Sequence, residues 1–578
     1  MNRTRISRYV PQIIAGCMML SISMVNLAGA QETFKFTCGI TRYEGAYAGA
    51  KANIATNTKV SGGITVFHAG TSWDQVWVRD GSYSIQMACG LLDPTTSKGT
   101  FNSCTSNWNG TTVAMQDACG HFGGWPALTD GIVWATGAWE FYCITGDRTF
   151  LTYAYPIVRN SLLHAETEVL DRNDGLFKGC ASFMESNSAY PGSFANNGGA
   201  VGATKAMSTN ALHYNAYLIA AKMGRSLSAP ATESNGYDLK AKALKDSLNK
   251  HLWLPDSGFY GYFRYANGTV ERKMEALGEA FAVMYGIADG SRRDSVFNNT
   301  FSSSWGIQCL YPQYQENGTG SCGSCCCYHN GYIWPFTQGY WAWAASMYKK
   351  TDIFFHEFDK LEQLYRKSNP GEFWEFYNLD GGPAGSGNQL WSAAGYLSMV
   401  YHGLFGMNFE ESGIRFDPLV PPVFADSMTL TNISYRGMTL NITVKGNGTG
   451  IQQFLLDGSA TADPVVPGNL TGSHSVRIVM TANPTGTTER IAPARASTVL
   501  SVRRTYRTQG AVCLEIRADR PGVVSLIDIS GSVLSSAPVS AGNPGVVLST
   551  KVAAGMCIVS FAGAEGSRST AKVVVGIP

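Results

Sequence analysis

The sequence predicts a mainly α fold: a domain of six helical hairpins followed by small β domains. Two observations predict it. Between about residues 55 and 410, apolar residues recur at helical spacing in run after run, with turn residues between the runs. After Phe416 that texture gives way to short alternating stretches typical of strands.

Each helical run carries its own punctuation. Thr129-Asp130 precedes GIVWATGAWEFYCITG, whose last residue, Gly146, suits a helix C-terminus. Asp147 opens a second run through Leu170, so the two read as one antiparallel hairpin. The pattern recurs at Ser208–Gly224, Ala276–Gly286, Tyr332–Tyr348, Asp352–Lys367 and Gln389–Tyr401. Roughly a dozen helices of ordinary length in about 350 residues suits six hairpins.

Asp417-Pro418-Leu419-Val420-Pro421-Pro422 then punctuates the chain. Met438–Gly446 and His474–Met480 read as strands, and a Gly, Ser and Val-rich β region runs from about Ser497 to the end. The expected division is 1–30 leader, 31–412 helical domain with a short lead, 413–485 small β domain, and 497–578 C-terminal β domain.

Two or three domains also follow from 578 residues. The formal net charge is +2 and no basic stripe stands out, which argues against a nucleic-acid partner. Aromatics reach 12%, with 13 Trp, a composition that suits stacking on the apolar faces of sugars as well as core packing.

The N-terminus reads as an export signal: Arg3, Arg5 and Arg8, an apolar stretch from Ile13 to Val25, then Ala28-Gly29-Ala30. Ile14-Ala15-Gly16-Cys17 is similar to a lipoprotein box, but the apolar run continues past Cys17. No other stretch is long and apolar enough for a transmembrane segment. The expected location is secreted or at the cell surface. In that oxidising setting, Cys322, Cys325, Cys326 and Cys327, crowded into one loop, read as disulfide formers, with Cys309 or one another, ahead of a structural zinc site.

Four segments carry candidate chemistry. In Trp77-Val78-Arg79-Asp80-Gly81, Asp80 is either half of a buried ion pair or an acceptor for sugar hydroxyls. In Ser182-Phe183-Met184-Glu185-Ser186, apolar neighbours would raise the Glu185 pKa, as a general acid requires. Upstream, Asp171 to Gly175 faintly resembles a calcium loop but lacks the distal Glu, so it reads as a turn. Tyr328-His329-Asn330-Gly331-Tyr332-Ile333-Trp334-Pro335 packs polar groups and aromatics at a helix start. Gly371-Glu372-Phe373-Trp374-Glu375-Phe376-Tyr377, followed by Gln389-Leu390-Trp391, sets a carboxylate in an aromatic wall.

Together these segments resemble the six-hairpin glycosidases, inverting enzymes on an (α/α)6 barrel. They include trehalases, glucoamylases, processing α-glucosidases, mannosylglycerate hydrolases, bacterial α-L-rhamnosidases and debranching amylo-α-1,6-glucosidases. WVRDG is similar to the family's Trp-x-Arg-Asp segment, DGL…SFMES to DGL…TWMDA, YHNGYIWPF to YHNGxxWPW, and GEFWEFYNLDGGP…QLWSAAGY to GTxSExFDG…QAWSxxE. The order and spacing hold from about residue 70 to 410.

The resemblance implies Glu185 as general acid and Glu375 as general base. Glu372 remains an alternative base, because the segment is two residues longer here. It also implies that Arg79 and Asp80 grip the sugar, and that Trp77, Tyr328, His329, Trp334, Trp374 and Trp391 build the pocket. Neither metal nor organic cofactor is implied. The implied substrate is an α-linked glycoside, oligosaccharide or polysaccharide. The acid position carries Glu where relatives carry Asp. That departure keeps open an inactive carbohydrate-binding or surface-assembly protein on the same barrel, and α-L-rhamnosidase-type specificity is a further alternative. The strands from Gly413 to Met480 resemble the small sandwich that packs on such barrels, and the tail resembles type IX secretion sorting domains.

Overall fold

A computed structural model describes residues 34–315 and 327–481, apart from 119, 121, 195, 369, 370 and 425, together with the strands and some loop residues between 500 and 575. The expected leader, Cys17, and the loop cysteines Cys322, Cys325 and Cys326 lie outside the described residues. The chain divides into two compact units, 1–483 and 484–578.

The first unit is mainly helical. Its helices are α1 (Thr41–Thr56), α2 (Val78–Ser84, continued by Ile85–Cys89 and Gly90–Leu92), α3 (Pro94–Ser103), α4 (Val133–Thr145), α5 (Arg148–Glu168), α6 (Met207–Ser226), α7 (Ala231–His251), α8 (Ala276–Met284), α9 (Gly290–Asn299), α10 (Pro335–Met347), α11 (Thr351–Lys367) and α12 (Leu390–Ser398). A five-residue helix, Gly198–Gly202, stands apart from this series.

The even-numbered helices contact one another in a closed circuit, α2 to α4, α6, α8, α10, α12 and back to α2. The odd-numbered helices pack outside them: α1 on α12, α3 on α2 and α4, α5 on α4 and α6, α7 on α6, α9 on α8, α11 on α10. Sequence explains the difference in layer. In α10 every residue from Pro335 to Ser346 is buried, as an inner helix requires, whereas α11 buries one stripe, Phe354, Phe358, Leu361 and Leu364. Where α10 crosses α12, a methyl group on Gly339 would stand 2.8 Å from the Gly395 Cα, so any side chain there would force the helices apart.

The punctuation between α4 and α5 acts as expected. The Gly146 N–H donates to the Tyr142 carbonyl at 2.8 Å, and the Asp147 carboxylate accepts from the Phe150 N–H at 2.9 Å, a cap worth about 1 kcal/mol. Other boundaries moved. The lead before residue 55 holds a strand, Lys35–Thr37, and most of α1. Helices α3, α7 and α9 had no counterpart among the sequence runs. Their residues are largely polar or small, because they bury little more than one side.

The β part of this unit begins earlier than residue 413, since Met407–Glu410 pairs antiparallel with Gly413–Phe416. The main sheet runs in the order Lys35–Thr37, Ser427–Tyr435, Met438–Lys445, Gly472–Thr481, Gly450–Leu456, Ser459–Thr461. Alternating burial along Met438–Lys445 gives it one face toward the core.

The second unit, taken by itself, has a three-stranded sheet (Leu500–Thr508, Ala511–Ala518, Gly545–Thr550) and a four-stranded sheet (Val533–Val539, Gly522–Asp528, Gly555–Gly563, Arg568–Val575). Ile516 and Leu548 of one sheet share a core with Val524, Leu526, Val559 and Phe561 of the other.

Among the described residues, no helix is long and apolar enough to cross a membrane. Cys309 is a buried free thiol whose Sγ–H donates to the His329 carbonyl at 3.2 Å, so the disulfide expected through it is not made.

Candidate active site

Five segments far apart in sequence meet around a cavity of about 310 Å³. Trp73, Gln75, Trp77, Arg79, Asp80, Ala118, Gly120, Glu185, Tyr328, Glu375, Gln389 and Trp391 line it. A larger surface cleft, about 600 Å³, is lined by Gly63, Pro94, Lys98, Asn102, Asp147 and neighbours. Its one carboxylate, Asp147, is tied to Lys98 at 2.6 Å, so it offers no acid–base pair.

Arg79 and Asp80 are fixed by the first turn of α2. Asp117 accepts hydrogen bonds from the Val78 and Arg79 N–H groups at 3.2 and 3.3 Å, placing a carboxylate at the helix start, where the dipole favours it. Arg79 is fully buried, and its Nη1 stands 2.8 Å from Asp130 Oδ2 and 3.3 Å from Glu185 Oε2. Asp80 accepts from Gln389 Nε2 at 3.2 Å, while its Oδ2 has no hydrogen-bond partner among the described residues. Burial holds the Asp80 carboxyl well above its ordinary pKa.

Glu185 follows Phe183, a bulky residue held at a φ of 66°. Such a backbone costs on the order of 1–3 kcal/mol and persists only when packing enforces it. Here the Phe183 ring sits 4.9–5.2 Å, edge-on, from the rings of Phe336, Trp334 and His329. Glu185 itself is pushed up to about 7 by burial; Arg79 opposes that shift and the nearby Asp130 adds to it. Asp117 is raised to about 6, again chiefly by burial.

Glu375 lies on the loop before the short strand Phe376–Tyr377. Its Oε2 accepts two hydrogen bonds, from Trp73 Nε1 at 2.9 Å and from the Ser386 N–H at 3.0 Å. Burial raises its pKa, and these two donors and Arg79 oppose the rise. The two glutamates thus share a cavity under different control, one held toward its neutral form and one solvated by fixed donors.

Of the sequence candidates, Glu185, Glu375, Trp77, Arg79, Asp80, Tyr328 and Trp391 line the cavity. His329 and Trp334 do not. Both are buried behind the wall, with ring centroids 3.9 Å and 5.2 Å from Tyr328, which they back. Trp374 packs instead against the small cluster of Ile333, Leu364 and Tyr377. Glu372 also lies off the lining, where its Oε1 accepts from Asn388 Nδ2 at 3.2 Å. The suspected calcium-like loop is filled by a cation of the chain: Lys205 Nζ lies 2.7 Å from Asp171 and 2.6 Å from Asp174.

Sequence reasoning missed Trp73, Gln75, Asp117, Gly120 and Asp130, and read Gln389 only as part of a motif. The single available signal was Trp73, four residues before Trp77 in an aromatic run. The departure at position 185 also gains an explanation. Gly120, at a φ of 66°, presses on the Glu185 Cγ, and a side chain at 120 would occupy the space that the extra methylene fills.

Residues 126–392 match the family model of the mannosylglycerate hydrolase MGH1-like glycoside hydrolase domain. This match and the circuit of inner and outer helices fit the six-hairpin glycosidase superfamily. Two solved structures, a sialidase and a rhamnosidase, agree in fold. A sialidase is 15% identical, with a TM-score of 0.59, covering 74% of this chain and 40% of that one. A GH78 rhamnosidase of Bacillus sp. GL1 is 13% identical, with a TM-score of 0.52, covering 78% of this chain and 44% of that one. The GH63 mannosylglycerate hydrolase of Thermus thermophilus, in complex with Tris, is 14% identical, with a TM-score of 0.48, covering 61% of this chain and 100% of that one. The chain spans less than half the length of the first two. No curated protein matches the sequence. The match to a glycoside hydrolase domain supports a glycosidase.

Proposed function

We propose that the chain is a secreted glycosidase that cleaves an α-linked glycoside with inversion, on an (α/α)6 barrel followed by small β-sandwich domains. The circuit of inner and outer helices supports the barrel. The observation that carries the chemistry is the pair of buried carboxyls, Glu185 and Glu375, in one cavity, the first raised to about 7 by burial and the second holding two hydrogen-bond donors on one oxygen.

In this reading Glu185 gives its proton to the glycosidic oxygen as the bond to the anomeric carbon breaks. Glu375 takes a proton from a water whose oxygen forms the new bond from the opposite face. The products are an alcohol and a sugar hemiacetal of inverted configuration. Asp80 accepts from sugar hydroxyls, Trp77 offers a ring face, and Trp391, stacked on Phe336 at 4.2 Å, closes the wall. Among the described lining residues the only cation is Arg79, already engaged with Asp130 and Glu185. Three carboxyls share the wall, so a neutral sugar fits better than a sugar acid.

The experiment is proton NMR of the first anomer released from aryl α-glucosides, α-mannosides and α-L-rhamnosides. Inverted product from one of them is expected. Retained configuration, or no turnover of any α-glycoside or α-glycan, overturns the reading.

A further inference from the structure

Trp73 has an unusual position. Its indole N–H is spent on Glu375 Oε2, yet the residue is 37% exposed at the mouth of the cavity. An indole with its polar end engaged and its flat face open beside a polar cavity is suited to stacking. Its ring stands 5.7 Å from that of Trp77, tilted by 41°, so the two form one aromatic rim.

The loop that carries Trp73 is tied to the base-bearing segment. The Thr71 N–H donates to the Gly387 carbonyl at 3.1 Å, and the Ser72 N–H to Ser386 Oγ at 2.9 Å. Ser386 in turn supplies the other hydrogen bond to Glu375 Oε2. Both donors to that oxygen therefore belong to one tethered unit, which leaves Oε1 as the oxygen to receive a proton from water.

We propose that Trp73 has two roles: it is the positioning residue for the Glu375 carboxylate, and its exposed face is the platform for a sugar ring or aryl aglycone at the cavity mouth. This rests on the reading of Glu375 as base. The other charged groups facing Glu375 are Arg79, Asp80 and Glu185, which stay the same in every variant below.

Two variants separate the roles. Trp73→Phe keeps a flat ring and loses the N–H. It lowers kcat by about tenfold, the scale of one hydrogen bond to a charged group, and leaves KM nearly unchanged. It also moves the acidic limb of kcat/KM to higher pH, because a bond favouring the ionised carboxylate is gone. Trp73→Ala removes the ring as well and raises KM by about five- to tenfold more, the scale of a stacking contact. An unmoved acidic limb with normal kcat in Trp73→Phe overturns the positioning role. Equal KM in the two variants overturns the platform. A third readout needs no turnover. The indole ¹⁵N–¹H resonance of Trp73, assigned by its loss in Trp73→Phe, follows the Glu375 titration and ceases to do so in Glu375→Gln. Indifference of that resonance to Glu375→Gln sinks the proposal, whereas full activity of Glu375→Gln sinks the base assignment alone.

Discussion

Gly120 packs so closely on Glu185 that a methyl group at position 120 would overlap both its Cγ and its carbonyl oxygen. The acid's reach is therefore set by a residue on another loop.

Gly120→Ala should displace the Glu185 side chain and lower kcat by about 10²-fold, the scale of an ångström-sized misplacement. Adding Glu185→Asp shortens the acid and should recover part of that loss. Steady-state kinetics of the two single variants and the double variant decide it; strictly additive losses would mean that the two residues do not share that space.

Glu185→Gln and Glu375→Gln should each lower kcat by about 10²-fold or more. A dinitrophenyl leaving group needs little protonation, so it should restore much of the activity of Glu185→Gln and little of that of Glu375→Gln. Equal rescue would void the assignment. Loss on Glu372→Gln with an active Glu375→Gln would move the base.

The alkaline limb of the pH profile should fall near pH 7, where Glu185 loses its proton. Its neighbours push in opposite directions. Asp130→Asn removes a charge that favours the neutral acid, so the limb should move down. Arg79→Gln removes one that favours the ionised form, so the limb should move up. Shifts of the same sign would refute this electrostatic account. Each variant should also lose about 3–5 kcal/mol of stability, because the partner's buried charge is left alone.

Stability should report the same group. The folded chain holds the Glu185 proton up to about pH 7, while the unfolded chain releases it near 4.5. As pH rises from 4.5 to 7 the unfolded state sheds a proton that the folded state keeps, so stability falls across that window and stays lowered above it. Glu185→Gln should stabilise the inactive protein by up to about 3 kcal/mol at pH 8 and by nothing near pH 4.5. Denaturant unfolding at the two pH values tests it.

Helices with a strong apolar stripe or a full apolar girth, such as α4, α10 and α11, were legible in the sequence, as were the caps at Gly146 and Asp147. Helices such as α9, whose sequence is GSRRDSVFNN, were not, because an outer helix touching one neighbour needs only Val296 and Phe297 buried. The same division holds at the site. Glu185 and Glu375 stand among apolar residues whose burial the sequence advertises. Asp117 and Asp130 act through backbone N–H groups and an arginine far away in the chain, and no local pattern marks such a partnership. The resemblance of YHNGYIWPF to the family segment implies His329 and Trp334 as wall, and that likeness carries no information on which side chains face the cavity. Packing turned them inward, behind Tyr328.

The strand Lys35–Thr37 pairs with Thr429–Thr431, so one of the first described elements waits for a partner roughly four hundred residues later. Helix α1 likewise packs on α11 and α12, near the other end of the helical series. A chain emerging from a ribosome can build its middle hairpins as they appear, but its opening strand and helix find their partners only when α11, α12 and the closing sheet arrive. Closure is thus a late event. A truncation that removes Ser427–Tyr435 should leave the strand Lys35–Thr37 and helix α1 protease-sensitive, as limited proteolysis would show.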